Sequence, residues 1–245
     1  MKINAIVATR MSSTRLPGKV LMDLCGQPAL VRLIERLQKS KYIHNVVIAT
    51  TNNSLDDIVV STAINQKVSY YRGSELDVLQ RTVEAAEHTK ADYIVQMTSD
   101  CPLLDAETVD RVIERMLDNP SLDFVANHLV RTYPMGMSVE IFKTSALRYV
   151  EQEIKDPAVR EHVSLYFYEN PELYRLSNVE ASSFLRHPEY RLTLDTFDDY
   201  RVIQAIFEGL YPHKNNFDLH DIIRYLENHP EVAAMNSHIQ QKKAR

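Results

Sequence analysis

The 245-residue sequence has five glycines, two cysteines and no tryptophan. So few glycines exclude a glycine-dense phosphate loop, and neither G-x-x-x-x-G-K-[ST] nor G-x-G-x-x-G occurs. Cys25 and Cys101 are too few for a disulfide scaffold and point to a reducing, cytoplasmic setting. No apolar run approaches the roughly 18 residues that a bilayer span requires. The opening run Ile3–Ala8 is too short, and too soon followed by Arg10, to read as a secretory leader. A basic surplus is missing as well: 28 Lys and Arg against 33 Asp and Glu leave a formal charge of −5, which argues against a nucleic-acid partner. What is present, 44% hydrophobic and 25% charged residues, suits a globular protein long enough to bury its own core.

Through the first half, short apolar runs alternate with helical periodicity. Ile3–Ala8 and residues 46–49, 68–71 and 93–97 read as buried strands. Leu30, Val31, Ile34 and Leu37 form one helical stripe in Ala29–Leu37, Val78, Leu79, Val83 and Ala86 a second, and Val109, Val112, Ile113 and Met116 a third. Residues 57–64 form a further helix behind Ser54. This alternation predicts βαβ units and therefore an α/β fold, three layers around a mostly parallel sheet. Beyond residue 119 the rhythm changes, with strands expected at 123–127, 138–142, 176–179 and 190–194. Helices are expected there at 145–153, 160–168, 197–208 and Leu219–Asn228, and the polar, cationic end 240–245 reads as frayed. Residues 1–245 are expected to form one domain, with 120–190 a lid or dimerisation subregion.

The loop after the first strand, Ala8-Thr9-Arg10-Met11-Ser12-Ser13-Thr14-Arg15-Leu16-Pro17-Gly18-Lys19, carries three cations and three adjacent hydroxyls but no acid. In open α/β sheets ligands bind at the carboxyl ends of strands, where this loop begins. Arginine forks and a point-charge lysine suit a triphosphate. The plainer alternative is a solvated cationic loop, which has to tolerate the mutual repulsion of its charges.

The segment Ala8-x-Arg10-x-x-Ser13-x-Arg15-Leu16-Pro17-Gly18-Lys19 resembles the signature of the CMP-sugar-acid synthetases, the cytidylyltransferases that activate KDO and sialic acids. Extended through Val20-Leu21, it is similar to the SpsF-type spore coat polysaccharide branch of that family. Ile48-Ala49-Thr50-Thr51, Arg72-Gly73-Ser74-Glu75-x-Asp77-Val78-Leu79 and Thr98-x-Asp100-Cys101-Pro102-Leu103 resemble the same branch. So do Arg131-Thr132-Tyr133-Pro134-x-Gly136, Arg160-Glu161-His162-Val163 and Thr193-Leu194-Asp195-Thr196-x-x-Asp199, in order along most of the chain. The resemblance implies a nucleotidyltransferase fold of the glycosyltransferase-A type and a homodimer. It implies that Arg10 and Lys19 contact the phosphates of CTP with Ser13 and Arg15 in support, and that backbone at Ala8 and Thr9, with the Arg72-Gly73-Ser74 loop, contacts the base.

Nucleotidyl transfer calls for Mg²⁺ at the α-phosphate, usually held by one or two carboxylates. Asp100 follows the fourth strand and so falls at the same sheet edge as the loop, although an aspartate before Pro102 also suits a turn. Thr196 and Asp199 fit a capping box, which leaves Asp195 unexplained by capping; the family resemblance makes it the second metal ligand. Ser54 with Asp57 and Ser74 with Asp77 have the same capping spacing, Asp105 reads as an N-cap, and Asp77 is both cap and motif residue. Glu140, Arg160, Glu161 and His162 lie in segments similar to sugar-binding or dimer-contact parts of the family, and Arg131 or Arg160 would suit a sugar carboxylate. Their structural alternative is a helix opened by Arg160-Glu161 with an ordinary half-exposed histidine. Gln96 stands where the family commonly has a basic residue, and Ser138 where it often has aspartate before Val-Glu. Cys101 is expected to be a packing residue rather than a nucleophile.

The expected activity is transfer of CMP from CTP to an acidic or modified sugar with release of pyrophosphate, Lys19, Arg10 and Asp100 being the catalytic residues. A glycosyltransferase using a nucleotide sugar, and a non-catalytic nucleotide-binding protein, are the alternatives.

Overall fold

The continuous apolar runs become the middle of a sheet. In the computed structural model, which describes residues 1–241, β1 (Ile3–Ala8), β2 (Asn45–Thr51), β3 (Ser69–Gly73) and β4 (Tyr93–Thr98) lie parallel in the order β3-β2-β1-β4. Three further strands extend it: β5 (Phe124–Ala126), β6 (Glu140–Lys143) and β7 (Leu176–Asn178). The full order is β3-β2-β1-β4-β6-β5-β7, with β6 alone running antiparallel to its neighbours. The winding reverses between β1 and β4, and at such a point the loops leave in opposite directions and open a crevice.

Pleat parity divides the core. Ile3, Ala5 and Val7 of β1 pack with α1 (Ala29–Leu37), α2 (Asp57–Asn65) and, further along the sheet, α4 (Ala106–Asp118), α8 (Phe197–Leu210) and α9 (Leu219–Asn228). Ile6 points the other way, toward α3 (Val78–His88), α5 (Thr144–Glu153), α6 (Pro157–Glu161) and α7 (Leu165–Glu169). The three-layer α/β arrangement agrees with the sequence pattern. An unexpected short helix, α10 (Pro230–Ala234), closes the first layer through Val232.

Four local expectations are corrected. Residues 190–194 form no sheet strand: Arg191 makes an isolated bridge to Met135, and the Leu194 N–H donates to the Asp100 carbonyl at 2.7 Å. The helix expected at 160–168 breaks into α6 and α7 at His162, which leaves helical φ/ψ, so Ser164 can donate its hydroxyl to Glu140 at 2.7 Å. Ser54 caps nothing; Asn53 accepts from Leu55 N–H, and Asp57 pairs with Arg72 instead. Of the end expected to fray, Gln241 accepts a hydrogen bond from Arg191 at 2.8 Å, and 242–245 lie outside the described residues.

Gly136 shows how tightly the 190–194 segment is laid down. Its φ is +94°, and a Cβ there would sit 2.5 Å from both the carbonyl carbon and oxygen of Leu192. Neither contact is with a side chain that can swing away. Gly136→Ala is therefore expected to destabilise the protein by about 3 kcal/mol or more, seen as a lower urea midpoint at unchanged m-value. A midpoint equal to wild type contradicts this close approach.

Candidate active site

A cleft of about 340 Å³ opens where β1 and β4 end. Its shape begins with the first loop, which is folded back on itself. Gly18, in the left-handed region at φ +72°, donates its N–H to the Met11 carbonyl at 3.1 Å. The Met11 N–H in turn donates to the buried carboxylate of Asp56 at 2.7 Å, and Ser12 donates to Glu75 at 2.6 Å. The loop is thereby tied to the ends of β2 and β3, and the chain turns so that Lys19 re-enters the cleft.

Lys19 Nζ lies between two carboxylates, 3.1 Å from Asp100 and 2.8 Å from Asp195. Arg15 reaches Asp195 from the solvent side at 3.0 Å, and Arg191 reaches it from the interior at 3.3 Å. Arg191 continues inward to Asp199 at 2.8 Å, the residue that completes the capping box of α8 with Thr196. The result is a row of alternating charge from the cleft to a helix N-terminus. Burial alone would lower the Lys19 pKa, but Asp100 and Asp195 outweigh it and hold the ammonium above its ordinary value. Burial would likewise raise Asp195; Lys19, Arg15 and Arg191 together hold it below the usual aspartate range.

The loop cations that look unpaired in sequence therefore have acids supplied from far along the chain. Arg10 is the exception in degree, half-exposed and 3.9 Å from Glu75. Of the residues singled out in the sequence, Ala8, Thr9, Arg10, Ser13, Arg15, Lys19, Asp100, Glu161, His162 and Asp195 all line the cleft.

Other candidates are placed elsewhere. The Arg72 guanidinium donates to the carbonyls of Thr51 and Asn53 and pairs with Asp57 at 2.6 Å, beside a separate surface hollow of about 800 Å³. Gly73 and Ser74 do not line the cleft either; Ser74 accepts from the Asp77 N–H, and Asp77 is the N-cap of α3. Arg160 pairs with Asp77 at 2.5 Å and Glu151 at 3.0 Å, so its guanidinium locks α6 to α3 and α5 rather than facing a ligand. Arg131 is exposed and outside the cleft lining. Glu140 is buried beneath the α6–α7 break, accepting from Ser164 and meeting His128 Nε2 at 2.6 Å. Burial would lower the His128 pKa, but Glu140 more than reverses that. Cys101 is buried, and burial with the neighbouring Asp100 pushes its thiol well above the ordinary value, in keeping with a packing residue.

Arg81 lines the cleft and was not anticipated, nor were Val78, Thr98, Ser99 and Gln241. The signal for Arg81 was available: it stands three residues after Val78 and four before Ala85, on the stripe that a helix buries.

The donor set also bears on a metal. Among the described residues no group of three or more His, Cys, Asp or Glu is arranged to hold one. Two carboxylates that already share a cation are nevertheless what Mg²⁺ takes from a protein, the rest of its shell being phosphate oxygens and water.

A model of the family described as Cytidylyltransferase matches residues 4–242. The chain is 34% identical over 233 residues to the spore coat polysaccharide biosynthesis protein SpsF of Bacillus subtilis, covering 93% of this chain and 95% of that one. It is 27% identical to a 3-deoxy-manno-octulosonate cytidylyltransferase of Trichlorobacter lovleyi, covering 86% and 93%. Among solved structures, a cytidylyltransferase from Leptospira borgpetersenii superposes with a TM-score of 0.91 at 32% identity, covering 99% of this chain and all of that one.

Proposed function

The chain belongs to the cytidylyltransferase family, and on that footing we propose that it transfers CMP from CTP to a hydroxyl of an acidic or modified sugar, releasing pyrophosphate. The observation that carries this is the Lys19 ammonium held between Asp100 and Asp195 at the mouth of β1 and β4. In the proposed reaction Lys19, Arg10 and Arg15 take the triphosphate, with Ser13 as a further donor. Asp100 and Asp195 are the residues that would hold Mg²⁺, which when bound neutralises charge developing at the α-phosphate. Lys19 then serves the leaving pyrophosphate, because a positioned cation counts most where charge grows in the transition state. Lys19, Arg15 and Arg191 together keep Asp195 ionised, and Arg191 holds it from the interior side. His162 and Glu161 enter the cleft from the α6–α7 break and are the groups offered to the sugar.

The resemblance to the family further supports a single-domain, cytoplasmic homodimer with residues 120–190 at the acceptor and subunit contacts. No described helix is long and apolar enough to cross a membrane.

The test is a panel of CTP, UTP, ATP and GTP with Mg²⁺, each against keto-acid and neutral sugars, scored for pyrophosphate. Release that requires both CTP and a sugar is the expected result. Turnover of a nucleotide sugar without pyrophosphate would make the protein a glycosyltransferase, and binding without either product would make it a non-catalytic nucleotide binder.

A further inference from the structure

Arg81 is 2% exposed, yet it lines the cleft. Its Nη1 donates to the Ser74 carbonyl, and its Nε is buried without a partner. Among the described residues no carboxylate lies within ion-pairing distance of it. The acids around it are committed to others. Asp77 caps α3 and pairs with Arg160, Asp56 accepts from Met11 and Thr51, and Glu75 accepts from Ser12 and Asn53. Burial, and after it Arg10, make the protonated form of Arg81 harder to keep, and Asp56, Glu75 and Asp77 offset this only in part. A buried guanidinium whose Nε–H has no partner is costly unless a ligand satisfies the group. Gly73 makes room for it: a Cβ at that position would stand 3.0 Å from Arg81 Cγ.

Lys19, Arg15, Asp100 and Asp195 are joined by ion pairs, whereas Arg81, on the helix α3 that packs on β1, has no carboxylate partner among the described residues and shares the cleft lining with the apolar Ala8 and Val78. We propose that Arg81 reads the base of the nucleotide, its N–H donors meeting the O2 and N3 acceptors of cytosine. This rests on the CTP-dependent activity above. Uracil carries N3–H where cytosine carries a lone pair, so the same guanidinium faces a donor and rejects UTP. Discrimination of this kind is strong because the wrong base leaves buried polar groups unpaired. Arg72, whose guanidinium is closed off by Thr51, Asn53 and Asp57, does not supply it.

The test is binding, which needs no acceptor. CTP, UTP and inorganic tripolyphosphate are titrated calorimetrically into wild type, Arg81→Lys and Arg81→Gln. Wild type should prefer CTP to UTP. Arg81→Gln should lose about tenfold or more of that preference, with tripolyphosphate affinity unchanged and Arg81→Lys in between. Because either variant can fail to fold, wild type is also titrated with 3-deazacytidine triphosphate, whose C–H replaces N3; about tenfold weaker binding is expected. A wild type indifferent to the base, equal binding of the deaza analogue, or variants that lose CTP, UTP and tripolyphosphate alike would overturn the proposal. The last of these would put Arg81 on the phosphates. If CTP preference depends on Arg81 but no sugar yields pyrophosphate, this inference stands and the proposed transfer fails; the reverse pattern separates them the other way.

Discussion

Asp100→Asn and Asp195→Asn are each expected to lower turnover by about a hundredfold or more while CTP affinity changes by about threefold or less. The amide keeps the size and one oxygen of the carboxylate but removes the charge that Mg²⁺ needs from the protein. Groups that matter chiefly in the transition state show their loss in kcat. The two variants should differ in stability. Asp100 is partly exposed and pairs with one cation among the described residues, Lys19, whereas Asp195 is buried and pairs with Arg15 and Arg191 as well. Only Asp195→Asn should therefore lower the melting temperature appreciably, the loss being limited because Arg191 keeps Asp199. Since the folded-state pKa of Asp195 is depressed, its contribution is present above the ordinary aspartate range and disappears as pH falls through the depressed value. The gap between wild type and Asp195→Asn should thus be full at neutral pH and close in acid. Equal losses of kcat and of CTP affinity in both variants would count against a shared metal site.

Lys19→Ala should weaken CTP binding by about ten- to a hundredfold, since a hydrogen bond to a charged group is worth about 1.5–3 kcal/mol. A second effect has the opposite sign. With the ammonium gone, Asp100 and Asp195 face each other with one cation fewer, so Mg²⁺ without nucleotide should bind more tightly than it does to wild type. Arg10→Ala should cost less CTP affinity, because Arg10 is half-exposed and its ion pair with Glu75 is long, at 3.9 Å. Titrations of CTP and of Mg²⁺ alone into each variant read both effects. Unchanged CTP affinity in Lys19→Ala would remove the lysine from the triphosphate site.

How far the sequence foretold these features depended on the range of the forces involved. β1 to β4 and α1, α3 and α4 were legible because periodicity is local: the residues that set it are neighbours in the chain. Residues 190–194 have the composition of a strand, but their partners are Met135 and Asp100, and no local pattern tells a lone bridge from a ladder. The cleft's cations and Asp100 are legible from their position after strands together with the family resemblance of their motifs, whereas for Asp195 the capping box leaves the residue unexplained and the resemblance alone gives it a role. Arg72 and Arg160 matched motifs, but the acids that occupy them, Asp57 and Asp77, are 15 and 83 positions away. Arg81 escapes a reading of the sequence for a related reason. A cation on a buried stripe is visible as an anomaly, but its lack of a partner is visible only when every nearby acid has been located.

The alternating row Lys19, Asp195, Arg191, Asp199 gives the protein an optical use that its composition makes clean. Any ligand that redistributes charge at Lys19 alters the field at the start of α8, whose first residue, Phe197, is 59% exposed. A Phe197→Trp variant would hold the chain's sole indole, since the native sequence has no tryptophan. Its fluorescence would follow occupancy of the cleft from outside, without a label and without a substitution inside the cleft.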